Sequence, residues 1–208
     1  MVHSKRSVAG GILVGLTVLV CASCGGGSSA PQSDLDAYAT GSLKATMAAN
    51  EAVAMAACKA YCAAQDNYRR TDYNKDGVLE YAQSLRGTDS LSETQPGRGD
   101  IALIDRSFAA ADAASEAPTP KAGYYFKVLK AQGDHAPGGA RSYVLNGHMT
   151  GGYALIAYPA EYDRTGKNSF LIDNTGAIYR KDYGAQTQAI AGRMTAFDPE
   201  GKDRVQGE

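Results

Sequence analysis

Along this chain the apolar positions change period once. From Ser42 to Arg70 they recur every three or four residues, which puts Leu43, Met47, Ala54, Cys58, Tyr61 and Tyr68 on one stripe. No glycine or proline interrupts that run and alanine dominates it, so the spacing predicts a long helix whose stripe is core. From Tyr124 onward the period falls to two. Tyr124, Phe126 and Val128 alternate with Tyr125, Lys127 and Leu129, and Ser142–Asn146, Tyr153–Tyr158, Asn168–Asp173 and Ala177–Lys181 continue as strands. Gly147, Gly151, Gly152 and Pro159 punctuate them, and Asp173-Asn174-Thr175-Gly176 is a tight hairpin signal. Short connections between successive strands favour an antiparallel meander, which needs a cover on one face. The fold class that follows is α+β, a long N-terminal helix packed on an antiparallel β-meander. Between Arg86 and Lys121 one short helix is expected from Ile101 to Ala114, capped by Asp100.

The stretch from Asp72 to Tyr81 joins the two periods and is the clearest ligand-like segment. Counted as an EF-hand loop, Asp72 stands at position one, Asn74 at three, Asp76 at five, Gly77 at six, the Val78 carbonyl at seven and Glu80 at nine. The twelfth position, where a glutamate grips calcium with both oxygens, holds the neutral Gln83. Two readings stay open: a weak Ca²⁺ site on Asp72, Asn74, Asp76, Val78 and Glu80, or a structural corner. In the second, the same polar side chains turn the chain and Gly77 supplies positive φ.

The amino-terminal segment reads as an address. Lys5 and Arg6 precede an apolar run from Val8 to Ala22 that ends in glycines and serines too soon for a membrane span. Val20-Cys21-Ala22-Ser23-Cys24 resembles the lipobox of bacterial lipoproteins, which implies a lipid on Cys24. Residues 1–23 are then a signal peptide, 24–41 a flexible tether, and 42–208 a single α+β domain facing the periplasm, attached to the membrane by its lipid anchor. Ordinary cleavage near Ser23 would instead leave a secreted protein.

Charge narrows the partners. A formal net charge of -1 and pI ≈ 6.3 leave no basic field for a phosphate backbone, so nucleic acid is not an expected partner. With Tyr 13 and Trp 0, a half-exposed sheet could present Tyr125, Tyr143, Tyr153, Tyr158 and Tyr162 to an envelope protein or glycan, unless those rings pack under the helix. His135 and His148 stand apart from any nucleophile motif, and no Gly-x-Ser-x-Gly occurs. No catalytic constellation is visible, so the expectation is a non-enzymatic structural or binding module without a firm cofactor. A calcium-binding protein or an uncharacterised periplasmic hydrolase are the alternatives. Cys58 and Cys62 lie one turn apart on the predicted helix, where β-carbons about 5–6 Å apart exceed the roughly 3.5–4.5 Å of a relaxed disulfide. Free thiols and a strained bridge both stay open.

Several runs carry a resemblance. Gly123-Tyr124-Tyr125-Phe126-Lys127-Val128-Leu129-Lys130-Ala131-Gln132-Gly133, Gly152-Tyr153-Ala154-Leu155-Ile156-Ala157-Tyr158-Pro159-Ala160-Glu161-Tyr162 and Met194-Thr195-Ala196-Phe197-Asp198-Pro199 form one set. Asn50-Glu51, Cys58-Lys59-Ala60-Tyr61 and Asp76-Gly77-Val78-Leu79-Glu80-Tyr81-Ala82-Gln83 form another. Together they resemble the bacterial family called domain of unknown function 2950, over roughly Asn50 to Pro199. The resemblance implies export and this architecture and adds no reaction. More distantly, a long helix followed by a meander is similar to the globular part of type IV pilins and pseudopilins.

Overall fold

The computed structural model describes residues 32–94 and 99–205. The signal segment, Cys24 and the first part of the tether lie outside the described residues. Helix α1 spans Gln32–Tyr68. It therefore begins well before Ser42, and residues 32–41, expected above as tether, are helical. The alanines there favour that state, and the isolated Gly41 costs only about 1 kcal/mol in a helix interior. Met47, Ala54, Cys58, Tyr61 and Tyr68 are buried as the stripe predicts. Leu43 departs from it at 41% exposure, because residues 39–46 lie open to solvent on every side, ahead of the point where the helix meets the sheet.

After the corner come two small strands, β1 (Ser92–Glu93) and β2 (Ile101–Ala102), paired antiparallel. Helix α2 spans Arg106–Ala110, and Asp105 caps it by accepting the Phe108 N–H at 2.9 Å. The helix expected over Ile101–Ala114 is thus short and starts late. Ile101 pairs across to Glu93 as a strand residue, and Asp105 takes the capping role assigned to Asp100.

The remaining strands are β3 (Tyr124–Leu129), β4 (Ala131–Gln132), β5 (Arg141–Ser142), β6 (Val144–Leu145), β7 (His148–Met149), β8 (Ala154–Pro159), β9 (Asn168–Asp173), β10 (Ile178–Asp182), β11 (Ala196–Phe197) and β12 (Asp203–Arg204). Helix α3, Thr187–Arg193, sits between β10 and β11. The core sheet has the order β12-β10-β9-β8-β3 with every neighbour antiparallel. The meander expected from the sequence is its backbone. The Asp173–Gly176 hairpin closes as predicted: the Gly176 N–H donates to the Asp173 carbonyl at 2.9 Å, with Gly176 at φ 76.

One expectation about the sheet changes. All six residues of β8 are buried, because α1 packs on β8 and β9 while α3 and β11 also pack on β8. A central strand buried on both faces reads as a continuous apolar run, and each buried branched or aromatic side chain there stabilises by about 1.5–3 kcal/mol. The tyrosines follow. Tyr143, Tyr153 and Tyr158 are buried, and Tyr125 and Tyr162 are half-buried, so the five rings form no open binding face. Tyr153 instead meets Tyr61 edge-on at 5.5 Å and Tyr81 at 4.8 Å between centroids.

Candidate functional site

The corner is built by three side chains that accept their own backbone. The Asp76 N–H donates to Asp72 Oδ1 at 3.2 Å and Asn74 Oδ1 at 3.3 Å, the Gly77 N–H to Asp72 Oδ2 at 2.9 Å, and the Val78 N–H to Asp76 Oδ1 at 2.8 Å. Gly77 stands at φ 87, which only glycine adopts without strain. The corner is moored by Gln65, a fully buried helix residue. Its amide nitrogen donates to the Ala82 carbonyl and the Tyr61 hydroxyl, each at 2.8 Å, and its oxygen accepts the Ala82 N–H at 2.8 Å.

Glu80, 6% exposed, is the centre of this region. Its Oε1 accepts from Asn74 Nδ2 at 3.0 Å and its Oε2 accepts the Met149 N–H at 3.1 Å, while the Tyr81 N–H returns a bond to the Met149 carbonyl at 2.8 Å. Those bonds bring strand β7 against the corner. His148 Nδ1 then lies 3.5 Å from both Asp76 Oδ2 and Glu80 Oε2. One donor atom from each of Asp76, Glu80 and His148 falls within 4.8 Å of the others. Two carboxylates and an imidazole at that separation form a set able to hold a divalent cation.

Of the residues singled out from the loop spacing, Asp76 and Glu80 therefore converge. Asp72 gives both oxygens to the turn, Asn74 divides its amide between the turn and Glu80, and the Val78 N–H closes onto Asp76. His148 is the member that loop counting does not reach, because it arrives from a strand far along the chain and no local motif marks it.

A second cluster gathers His135. Its Nδ1 lies 3.2 Å from either oxygen of Asp198 and 3.3 Å from Glu200 Oε2, on a more open surface. The hydrogen bond to Asp198 raises the His135 pKa. Burial works against ionised Asp198, but the Glu200 N–H and the His135 ring hold its pKa below the ordinary carboxylate value.

Cys58 and Cys62 are both free thiols, so no bridge joins them, in keeping with the wide separation of helical neighbours. Burial raises the Cys58 pKa, and it pushes Cys62 up to about 11. Cys62 Sγ donates to the Asp173 carbonyl at 3.7 Å. Both are protonated at neutral pH, which is the state of inert structural cysteines.

Asn50 and Glu51, visible beforehand only as a motif, have a defined task. Asn50 Nδ2 donates to the Thr165 carbonyl at 2.9 Å. Glu51 Oε1 accepts the Lys167 and Asn168 N–H groups at 2.9 and 3.1 Å, and its Oε2 accepts from Asn168 Nδ2 at 3.0 Å. They clamp the middle of α1 to the start of β9.

A family model described as a protein of unknown function (DUF2950) matches residues 32–205. No curated protein and no solved structure matches. The likeness to pilins rests on the order of the elements alone.

Proposed function

The chain belongs to the DUF2950 family, and from that premise we propose that it is an exported, lipid-anchored component of the cell envelope that faces the periplasm. In this reading it is a non-enzymatic binding module with a divalent-cation site at its corner. Export and anchoring are supported by the basic start, the apolar run from Val8 to Ala22 and the small residues before Cys24. The cation site is carried by one observation, the convergence of Asp76, Glu80 and His148 within 4.8 Å across two distant segments. A nitrogen ligand beside two carboxylates suits zinc or manganese, whereas calcium draws on six to eight oxygens. Such a cation would tie β7 to the corner and stiffen the junction of helix and sheet.

The test is a titration with Zn²⁺, Mn²⁺ and Ca²⁺ against a chelator, read as heat and as melting temperature. At about 100 times Kd a bound ion adds about 2.7 kcal/mol, a rise on the order of 5–10 °C for a domain of this size. Glu80→Gln should remove the rise for every ion. His148→Ala should remove it for zinc and spare it for calcium. If no ion produces heat or a shift, the cation site is lost.

A second reading, a metal-dependent periplasmic hydrolase, is favoured by the same donor set, since three protein ligands leave positions on the metal open to water. Turnover of ester, amide or phosphoester probes that disappears with chelator and with Glu80→Gln would select it. A tight cation site with no turnover would select the binding module.

A further inference from the structure

Beside the corner the chain folds back on itself, with Ser84 bridged to Ser90 and the Leu85 N–H donating to buried Asp112 at 3.2 Å. Past this point opens a cleft of about 500 Å³ lined by Arg86, Thr88, Ser92, Glu93, Thr94 and Arg106, with Ala109 and Ala110 as its small apolar part. Its chemistry is uneven. Arg86 and Arg106 are exposed, and no ion pair among the described residues engages either guanidinium. The one acid among the described residues of the lining, Glu93, accepts the Asp89 N–H at 3.1 Å through Oε2. Three hydroxyls complete the wall.

We propose that this cleft binds a small hydroxylated ligand carrying one oxyanion group, a carboxylate or a phosphate. Arginine presents five N–H donors in a planar fork that matches either group with two parallel bonds, and such charge-assisted bonds are about twice as strong as neutral ones. The hydroxyls of Thr88, Ser92 and Thr94 both donate and accept, so they suit a polyol bearing the charge. Glu93 sets the limit. Its own charge opposes a polyanion and its carboxylate oxygens accept from a ligand hydroxyl, which selects a sugar bearing a single carboxylate or phosphate group over a highly charged strand. The site is independent of the cation at the corner and stands or falls separately from it.

The experiment is an NMR titration of the labelled protein at fixed ionic strength with glucuronate, glucose 6-phosphate, inorganic phosphate and neutral glucose. Saturable shifts at Gly87, Thr88 and Ser92 are expected with the charged sugars, weaker ones with phosphate, and none with glucose. The order of glucuronate and glucose 6-phosphate tells which group the forks prefer. Arg86→Ala with Arg106→Ala should weaken binding by about tenfold or more, as expected for loss of charged hydrogen bonds. Both side chains are exposed, so the melting temperature should stay unchanged and confirm that the variant is folded. Shifts that never saturate, that are equal for glucose, or that survive the double substitution would overturn the assignment.

Discussion

At the corner, His148 meets Asp76 and Glu80; at the carboxy-terminal segment, His135 meets Asp198 and Glu200. The residue types are alike and the distances differ little, 3.5 Å in one and 3.2–3.3 Å in the other. What separates the two is the support behind them. The Glu80 side chain is 7% exposed and fixed by Asn74 and the Met149 N–H, whereas that of Glu200 is 66% exposed. A ligand set becomes specific when its members are held by partners of their own, and by that measure the corner is the better preorganised, since in the open cluster Asp198 accepts the Glu200 N–H but the Glu200 side chain is open to solvent. The open cluster is a surface ion pair, of a kind that contributes little.

The largest effect that tests this contrast is on stability. Glu80→Ala leaves the buried Met149 N–H without an acceptor and should cost about 1–3 kcal/mol in urea denaturation, whereas Glu200→Ala should stay within about 0.5 kcal/mol. Equal losses would erase the distinction. Next comes Asp72→Ala, which removes the acceptor of the Gly77 N–H and one of the two acceptors of the Asp76 N–H. Since both amides can turn to water, the loss should be about 1 kcal/mol, and it should fall on the corner alone, seen as faster amide exchange at Asp76 and Gly77. The smallest effect is the pH dependence of the open cluster. The folded pKa of His135 is raised, so its contribution is complete below the unfolded value of about 6.5 and is lost as pH rises through the folded value. Asp198 is lowered, so its share is present above about 3.9 and is lost as pH falls through its folded value. The pair is therefore strongest between about 4 and 6.5. The His135 ring signal should titrate above 6.5, and Asp198→Asn should bring its midpoint down; an unmoved midpoint would show that the two groups do not interact.

The sequence made the periodic parts legible and left the convergent ones hidden. Asn168–Asp173 reads as a strand and is one, because both its alternation and its flanking turns are local signals. The helical stripe is legible from Met47 to Tyr68 for the same reason. Leu43 fails because periodicity reports which residues share a face and not whether another element reaches that face. The tyrosines were open between an outer face and a place under the helix: Tyr153 takes the second, edge-on to Tyr61 of α1, while α3 and β11 pack on β8, which carries Tyr158. At the candidate site, the turn was readable from Asp72 to Gly77, since its bonds join residues two to five apart. His148 was not, since its approach depends on the long-range bond between Glu80 and Met149. Only tertiary structure joins those segments.

The clamp at Asn50 and Glu51 also has a mechanical meaning. Ahead of it α1 continues back to Gln32, a rod of about 27 Å at 1.5 Å per residue. Along residues 39–46 nothing supports that rod from the side. A force applied at the Gln32 end of the rod is therefore a torque about the clamp, and four hydrogen bonds to Thr165, Lys167 and Asn168 carry it into the sheet. Those bonds receive the load at the start of β9, a strand flanked on both sides by hydrogen-bonded neighbours. Strain arriving there is shared along the sheet.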